Sequence, residues 1–223
     1  MAKGEKLVSE RKVYQDSRTR REMWQMTSWE GCHCLATYMY LQSFTKDGRY
    51  MVFASDRTGV YELYRLEVAS GETVQLTDPA DSGMDSKSVT RYHVHPNGRE
   101  VFFRDGAQFW AIDLETLEER LIAENDWSDK TPVSYPTLGQ GGDQLVSIYQ
   151  HENGCQGLAA VDFFGGTLED VFRWENSDEK LGHIQGATAG DFVVSLIIGP
   201  DRQNDPEESF EHRARAWKVE VGS

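Results

Sequence analysis

Four similar groups of short strand patterns follow one another along this chain, and this repetition constrains the fold more than any other feature. Each group begins at a turn that contains a glycine, and successive turns lie 50, 44 and 48 residues apart. The four glycines are Gly48, Gly98, Gly142 and Gly190. The first group is the most complete, with Gly and Asp at its turns, as expected of a small antiparallel meander. Its predicted strands are 38–44, 50–54, 61–68 and 73–77.

A lone meander of this size buries too little apolar surface to be stable, so the copies are expected to pack against one another. A repeat of this length with four strands per copy is typical of a β-propeller, in which each copy forms one blade. We therefore predict an all-β fold, a β-propeller of four-stranded antiparallel blades with about four blades present. The expected segments are 1–21 for a charged N-terminal arm, 22–34 for an N-terminal strand and a loop lining the central channel, 35–80 for blade 1, 88–124 for blade 2, 131–175 for blade 3 and 181–223 for an incomplete blade 4.

The fourth copy has strand patterns at 192–198 and 215–221, but no pattern for its last strand follows them. The isolated pattern at 22–27 (EMWQMT) could supply that strand, because one terminus of a propeller often completes the blade begun by the other. Two interpretations follow. The chain is either a four-bladed ring closed by its N-terminal strand or, as we favour, the front part of a larger propeller. The polar loop 195–211 inside this copy is expected to be either functional or a surface insertion.

The charge balance argues against nucleic acid as a partner. The chain carries 37 acidic and 23 basic residues, a net charge of −14, whereas binding to phosphates requires a basic surface. The first residues lack the apolar segment of a signal peptide, and no run approaches the ~18 apolar residues of a membrane span. We expect a cytoplasmic location and no membrane partner. The odd number of cysteines (Cys32, Cys34 and Cys155) then predicts reduced thiols.

The sequence contains no glycine-rich nucleotide loop and no serine nucleophile elbow. The densest group of potential metal ligands is Cys32-His33-Cys34, but adjacent residues converge poorly on one ion, so we do not predict a metal site there. His93 and His95 lie two residues apart on a predicted strand and would face the same side. That spacing permits chelation, but His95 also begins an ordinary turn, and we favour the turn.

Three side chains are candidates for a ligand site. His33 lies just before the predicted first strand of blade 1, and His183 lies at the entry to the first strand of blade 4. First strands line the channel of a propeller, so both imidazoles are expected to face a ligand there. Arg215 begins the third strand of blade 4, and its guanidinium could bind a carboxylate through two parallel hydrogen bonds.

Several stretches taken together resemble the N-terminal part of the oligogalacturonate lyase family. They include MAKGEK at the start, VYQD, WQMT, GCHC, FTKDGRYMVFASDRTG and, after a gap, FWAIDLETLEERLI. The resemblance weakens after about residue 126 and returns at LGH (181–183) and at Arg215-Ala216-Trp217. The blade motif alone is also similar to TolB-like propellers.

The resemblance implies a seven-bladed propeller and a cytoplasmic enzyme of pectin breakdown that cleaves oligogalacturonates by β-elimination. Such an enzyme removes the proton α to the uronate carboxylate and expels the 4-linked oxygen. The resemblance also implies a Mn²⁺ ion held by His and Gln side chains, an assisting arginine that matches Arg215, and a recurring histidine at the blade entry that matches His183. It places the metal ligands and the histidine base after residue 223, so none is assigned in this chain.

Two adjacent positions depart from the family pattern, since Ile197-Ile198 stand where the family tends to carry a His-Glu pair. Activity of the chain by itself is therefore left open. The alternative interpretation is a non-catalytic TolB-like propeller that binds a ligand or a protein partner.

Overall fold

β-Strands form at most of the positions where apolar runs and alternating patterns predict them. The computed structural model describes residues 2–38, 41–78, 91–105, 108–123, 130–134, 136–139, 142–166, 168–175, 180–186, 192–198 and 214–220. In chain order the strands are β1 (Lys6–Leu7), β2 (Lys12–Gln15), β3 (Glu22–Gln25), β4 (Cys34–Leu35), β5 (Tyr50–Ser55), β6 (Glu62–Glu67), β7 (Thr73–Gln75), β8 (Tyr92–Val94), β9 (Glu100–Asp105), β10 (Gln108–Asp113), β11 (Glu119–Leu121), β12 (Lys130–Pro132), β13 (Thr137–Leu138), β14 (Gln144–His151), β15 (Gln156–Asp162), β16 (Glu169–Trp174), β17 (Lys180–Gly186), β18 (Phe192–Ile198) and β19 (Ala214–Glu220).

The chain forms two compact units, which are described separately. The first comprises Met1–Gly106 and Ala111–Arg120, and the second comprises Ala107–Trp110 and Leu121–Ser223. Across the described ranges, no helix is long and apolar enough to cross a membrane.

The first sheet has five strands in the order β1-β7-β6-β5-β4. Its core contains the fully buried side chains of Phe53, Tyr64 and Leu66, and the Phe53 and Tyr64 rings stack with centroids 5.5 Å apart. Phe53 and Tyr64 are also directly paired across β5 and β6. Strand pairing and ring stacking thus fix the same register.

The first strand of this blade lies earlier than predicted. The sequence pattern placed it at 38–44, whereas the structure pairs Cys34 with Ser55 and Leu35 with Ala54. A turn in which the Leu41 amide donates to the Tyr38 carbonyl (2.8 Å) interrupts the predicted strand, and Phe44 keeps only an isolated bridge to Met51. Residues 39 and 40 lie outside the described ranges.

The N-terminal segment contributes two different structures. Residues 1–21 were expected to be an arm, but within them β1 joins the first sheet through Lys6 opposite Val74 and Leu7 opposite Thr73. The two strands β2 and β3 form a separate two-stranded sheet, and all their residues are exposed. The 22–27 pattern, which could have supplied the last strand of the fourth copy, forms β3 and pairs with β2.

The second sheet has the order β11-β10-β9-β8, as the four-stranded repeat predicts. In the second unit, the third sheet has the order β12-β14-β15-β16, with β13 also paired to β14. The last sheet, in the order β17-β18-β19, has three strands in the described part of the chain. Most of the predicted polar loop 195–211 lies outside the described ranges, while Ser195 to Ile198 belong to β18.

Candidate functional site

His33 is fixed at the edge of the first sheet by one carboxylate. Its backbone amide donates to Asp56 Oδ1 (2.6 Å), and its ring Nδ1 lies 2.9 Å from Asp56 Oδ2. The hydrogen bond from the His33 side chain is the largest influence that holds the pKa of Asp56 below its usual range. The His33 side chain remains 76% exposed, so it is oriented and still open to a ligand. It directly precedes the first strand of its blade, as predicted, although that strand is β4.

A buried arginine that sequence reasoning missed lies directly behind this corner. The Arg57 side chain is fully buried and donates to Glu10 Oε1 at 2.5 Å. Its guanidinium lies over three aromatic rings, 4.9 Å from the centroid of Tyr64, 5.4 Å from that of Phe53 and 5.5 Å from that of Trp29. Because a buried charge is stable only when it is paired, Arg57 fixes Glu10 and the N-terminal segment to the first sheet.

Glu10 extends this connection to the loop that carries His33. Its Oε2 accepts hydrogen bonds from the backbone amides of Ser28 (2.7 Å) and Trp29 (2.9 Å). The Ser28 hydroxyl in turn donates to the Glu10 carbonyl (3.0 Å). The position of the 28–34 loop therefore depends on an ion pair between residues 47 positions apart, which periodicity does not reveal.

The last sheet carries both other candidates. Arg215 lies on β19 opposite Ile197 of β18, and Ile197 is paired on its other side with Leu181 of β17. His183 lies in the register shift of β17 between Leu181 and Ile184. Since neighbouring strands are about 4.8 Å apart, the backbones of His183 and Arg215 are separated by roughly 10 Å across this sheet. The side-chain orientations of both residues lie outside the described part, and their ligand-binding roles stay predictions.

His93 and His95 are buried in the first unit. The preference for an ordinary turn agrees with the contacts of His95, because its Nδ1 accepts the Asn97 amide at 3.0 Å. The His93 ring packs against Phe102 with centroids 5.2 Å apart, and its Nδ1 is buried without a hydrogen-bond partner. Burial, with a smaller contribution from His95, lowers the pKa of His93 to about 4.

Metal-binding geometry is absent from the described part of the chain. No three or more His, Cys, Asp or Glu side chains among these residues converge so that they could hold an ion. In the Cys32-His33-Cys34 segment the imidazole contacts Asp56 and both thiols contact the Ser55 hydroxyl. Among the described residues, no group of His, Cys, Asp and Glu side chains is therefore assigned to a manganese ion.

Solved structures with a similar fold include two oligogalacturonate lyases and a TolB protein. The enzyme from Vibrio parahaemolyticus superposes with a TM-score of 0.75 at 23% identity, covering 89% of this chain and 56% of that one. An oligogalacturonate lyase in complex with manganese gives a TM-score of 0.78 at 20% identity, covering 98% and 59%. TolB from Acinetobacter baumannii, at 16% identity, gives 0.51 over 99% of this chain and 56% of its own. Together with the observed antiparallel sheets, these superpositions define a β-propeller protein, as the repeat predicted.

Sequence comparison identifies the family. The family model described as oligogalacturonate lyase matches residues 1–155, and the chain belongs to this family. An oligogalacturonide lyase of Pectobacterium atrosepticum is 28% identical over 206 residues, which are 82% of this chain and 50% of that protein. An oligogalacturonate lyase of Dickeya dadantii is 28% identical over 205 residues, again 82% and 50%. The chain thus spans about half the length of the curated relatives it matches.

Proposed function

We propose that the protein acts as an oligogalacturonate lyase, a carbon–oxygen lyase of pectin catabolism in the cytoplasm. The observation that carries the proposal is the family match over residues 1–155, which includes the blade motif and the corner that holds His33. Two curated relatives that bear this activity in their names align with 82% of the chain. Because the chain spans half of those relatives, the activity is proposed for the protein to which these blades belong.

The proposed reaction is a β-elimination. A base removes the proton on the carbon next to the uronate carboxylate, the bond to the 4-linked oxygen breaks, and a carbon–carbon double bond forms between the two positions. The proton is acidic enough only if the carboxylate charge is neutralised as the carbanion develops. We assign this task to Arg215, whose guanidinium can donate two parallel N–H hydrogen bonds to the two carboxylate oxygens.

We assign His183 to substrate binding in the same sheet. Its backbone is separated from that of Arg215 by roughly 10 Å, two strand spacings, which is about the span of one or two sugar rings. His33 is proposed as a further substrate contact of the first unit, oriented by Asp56. A solved oligogalacturonate lyase is in complex with manganese, and we propose that Mn²⁺ also assists the reaction of the whole protein. We assign the ion no ligand among the described residues and no step of the reaction.

Elimination creates an unsaturated uronate that absorbs in the ultraviolet, which gives a direct test. The protein is incubated with trigalacturonate, with Mn²⁺ or with a chelator, and absorbance is followed together with the circular dichroism of the protein. A gain in absorbance that requires the folded protein supports the lyase proposal. Binding of trigalacturonate without any gain contradicts elimination by this chain and favours a non-catalytic binding propeller.

A further inference from the structure

Two thiols share one buried hydroxyl at the corner of the first sheet. The Ser55 hydroxyl donates to Cys32 Sγ (3.6 Å) and accepts a hydrogen bond from Cys34 Sγ (3.5 Å). It also accepts one from Arg57 Nε (3.3 Å). A hydroxyl has one donor and two acceptor positions, so these three hydrogen bonds satisfy Ser55 completely. They hold both sulfur atoms beside the same oxygen.

The two sulfurs differ in their electrostatic surroundings. Arg57, whose side chain is fully buried, donates from Nη2 to Cys34 Sγ at 3.5 Å. A neighbouring guanidinium stabilises a thiolate, which is the reactive form of cysteine. Burial, together with the adjacent Cys34 thiol, raises the pKa of Cys32. The contact with Arg57 therefore favours Cys34 as the attacking sulfur, with Cys32 beside it.

Reach and accessibility also favour a reaction between them. Both side chains are partly exposed, whereas Cys155 is 5% exposed and bonds to the Glu175 carbonyl (3.4 Å). Residues separated by a single position have Cα atoms at most about 7 Å apart, close to the range that a disulfide spans. None of the three cysteines forms a disulfide in the structure.

We propose that Cys32 and Cys34 form a redox-active dithiol that a peroxide oxidises to an intramolecular disulfide. The Cys34 sulfur gives up its thiol proton and attacks one peroxide oxygen, the O–O bond breaks, and the leaving hydroxide takes up that proton to form water. The resulting Cys34 sulfenic acid is attacked by the Cys32 sulfur. The S–S bond then forms, the S–O bond breaks, and a second water leaves with the Cys32 proton. Two electrons pass from the thiols to the peroxide, and a small dithiol reverses the change by exchange.

The test counts thiols before and after oxidation. The protein is treated with hydrogen peroxide, denatured, alkylated with N-ethylmaleimide and weighed by mass spectrometry. The number of alkylated cysteines is expected to fall from three to one, with the two lost thiols in one proteolytic peptide that is two hydrogens lighter. Dithiothreitol is expected to restore all three.

Variants separate this proposal from general thiol oxidation. Cys155→Ser should still lose two thiols, while Cys32→Ser and Cys34→Ser should form no internal disulfide. Ser55→Ala keeps both cysteines and should slow disulfide formation, since the hydroxyl positions the two sulfurs. The proposal would be overturned if all three cysteines could still be alkylated after treatment with a peroxide dose that oxidises free dithiothreitol. A disulfide that involves Cys155 or a second molecule would overturn it equally.

Discussion

Acidification should destabilise the first unit through His93. This imidazole is 9% exposed, packs on Phe102 and has a pKa of about 4 in the folded protein, against an ordinary value of 6.5. Below pH 6.5 the unfolded chain binds a proton that the folded chain does not, so stability falls with pH until about pH 4. With pKa values of 6.5 in the unfolded chain and about 4 in the folded protein, the free energy of unfolding should fall by about 2 kcal/mol between pH 7 and pH 5.

The substitution that isolates this effect is His93→Phe, which keeps a ring against Phe102 and removes the titrating group. Urea unfolding at pH 7 and pH 5, followed by circular dichroism, gives the free energy of unfolding at each pH. Between pH 7 and pH 5, the free energy of unfolding of the variant should fall by about 2 kcal/mol less than that of the wild type. Any cost of changed packing at residue 93 is the same at both pH values and cancels in this comparison. His33→Gln, which removes an exposed histidine, should keep the larger part of the wild-type loss. An identical pH dependence in wild type and His93→Phe would refute the reasoning.

Two further predictions concern packing and can be measured by urea unfolding at pH 7. Arg57→Met removes a buried cation and leaves Glu10 without its charge partner, so it should lower the free energy of unfolding by about 3–5 kcal/mol. The double variant with Glu10→Gln should recover part of this loss. An Arg57→Met protein of wild-type stability would contradict the buried ion pair. Gly157→Ala places a Cβ 2.4 Å from the Phe172 carbonyl and 2.5 Å from the Tyr149 hydroxyl, so it should lower the free energy of unfolding by about 1–3 kcal/mol or more. The control Gly98→Ala meets no atom within 4 Å and should cost only about 1 kcal/mol, because its φ is +72°. Equal losses in the two variants would contradict the close packing at Gly157.

The strands were predictable because their signals are local. Glycine turns and apolar runs placed β5, β6 and β7 within one or two residues, and the same pattern located β18 in the second unit. β5, β6 and β7 each pair with a neighbour that a short connection joins to it. Hairpin geometry is determined by the turn and the adjacent alternation, so a single sequence contains it.

The errors occurred where long-range pairing decides the structure. Nothing local distinguishes the β4 segment at Cys34–Leu35 from 38–44 as the partner of β5, since both are short and mixed in polarity. The pairing of β1 with β7 joins residues 66 positions apart, and the 22–27 strand found its partner in β2. These choices depend on hydrogen bonds that only the folded chain forms.

The candidate site was predictable to a similar extent. Periodicity located His33 before the first strand of its blade, but it gave no reason to connect His33 with Asp56. Arg57 was missed because its importance lies in burial against three aromatic rings and in a partner far along the chain. The only sequence signal was the Asp56-Arg57 pair at the end of a strand, which reads equally well as a solvated turn.

The central claim is that the last sheet binds a uronate carboxylate through Arg215, and isothermal titration with trigalacturonate tests it most directly. The matched control is Arg173→Ala, which removes an exposed arginine of the same unit that pairs with Glu175 at 3.0 Å. A lost charged hydrogen bond is worth about 1.5–3 kcal/mol, so Arg215→Ala should weaken binding roughly tenfold to a hundredfold. Arg173→Ala should bind like the wild type, and neutral maltotriose should not bind. Equal affinity of the wild type and Arg215→Ala for trigalacturonate would contradict the claim.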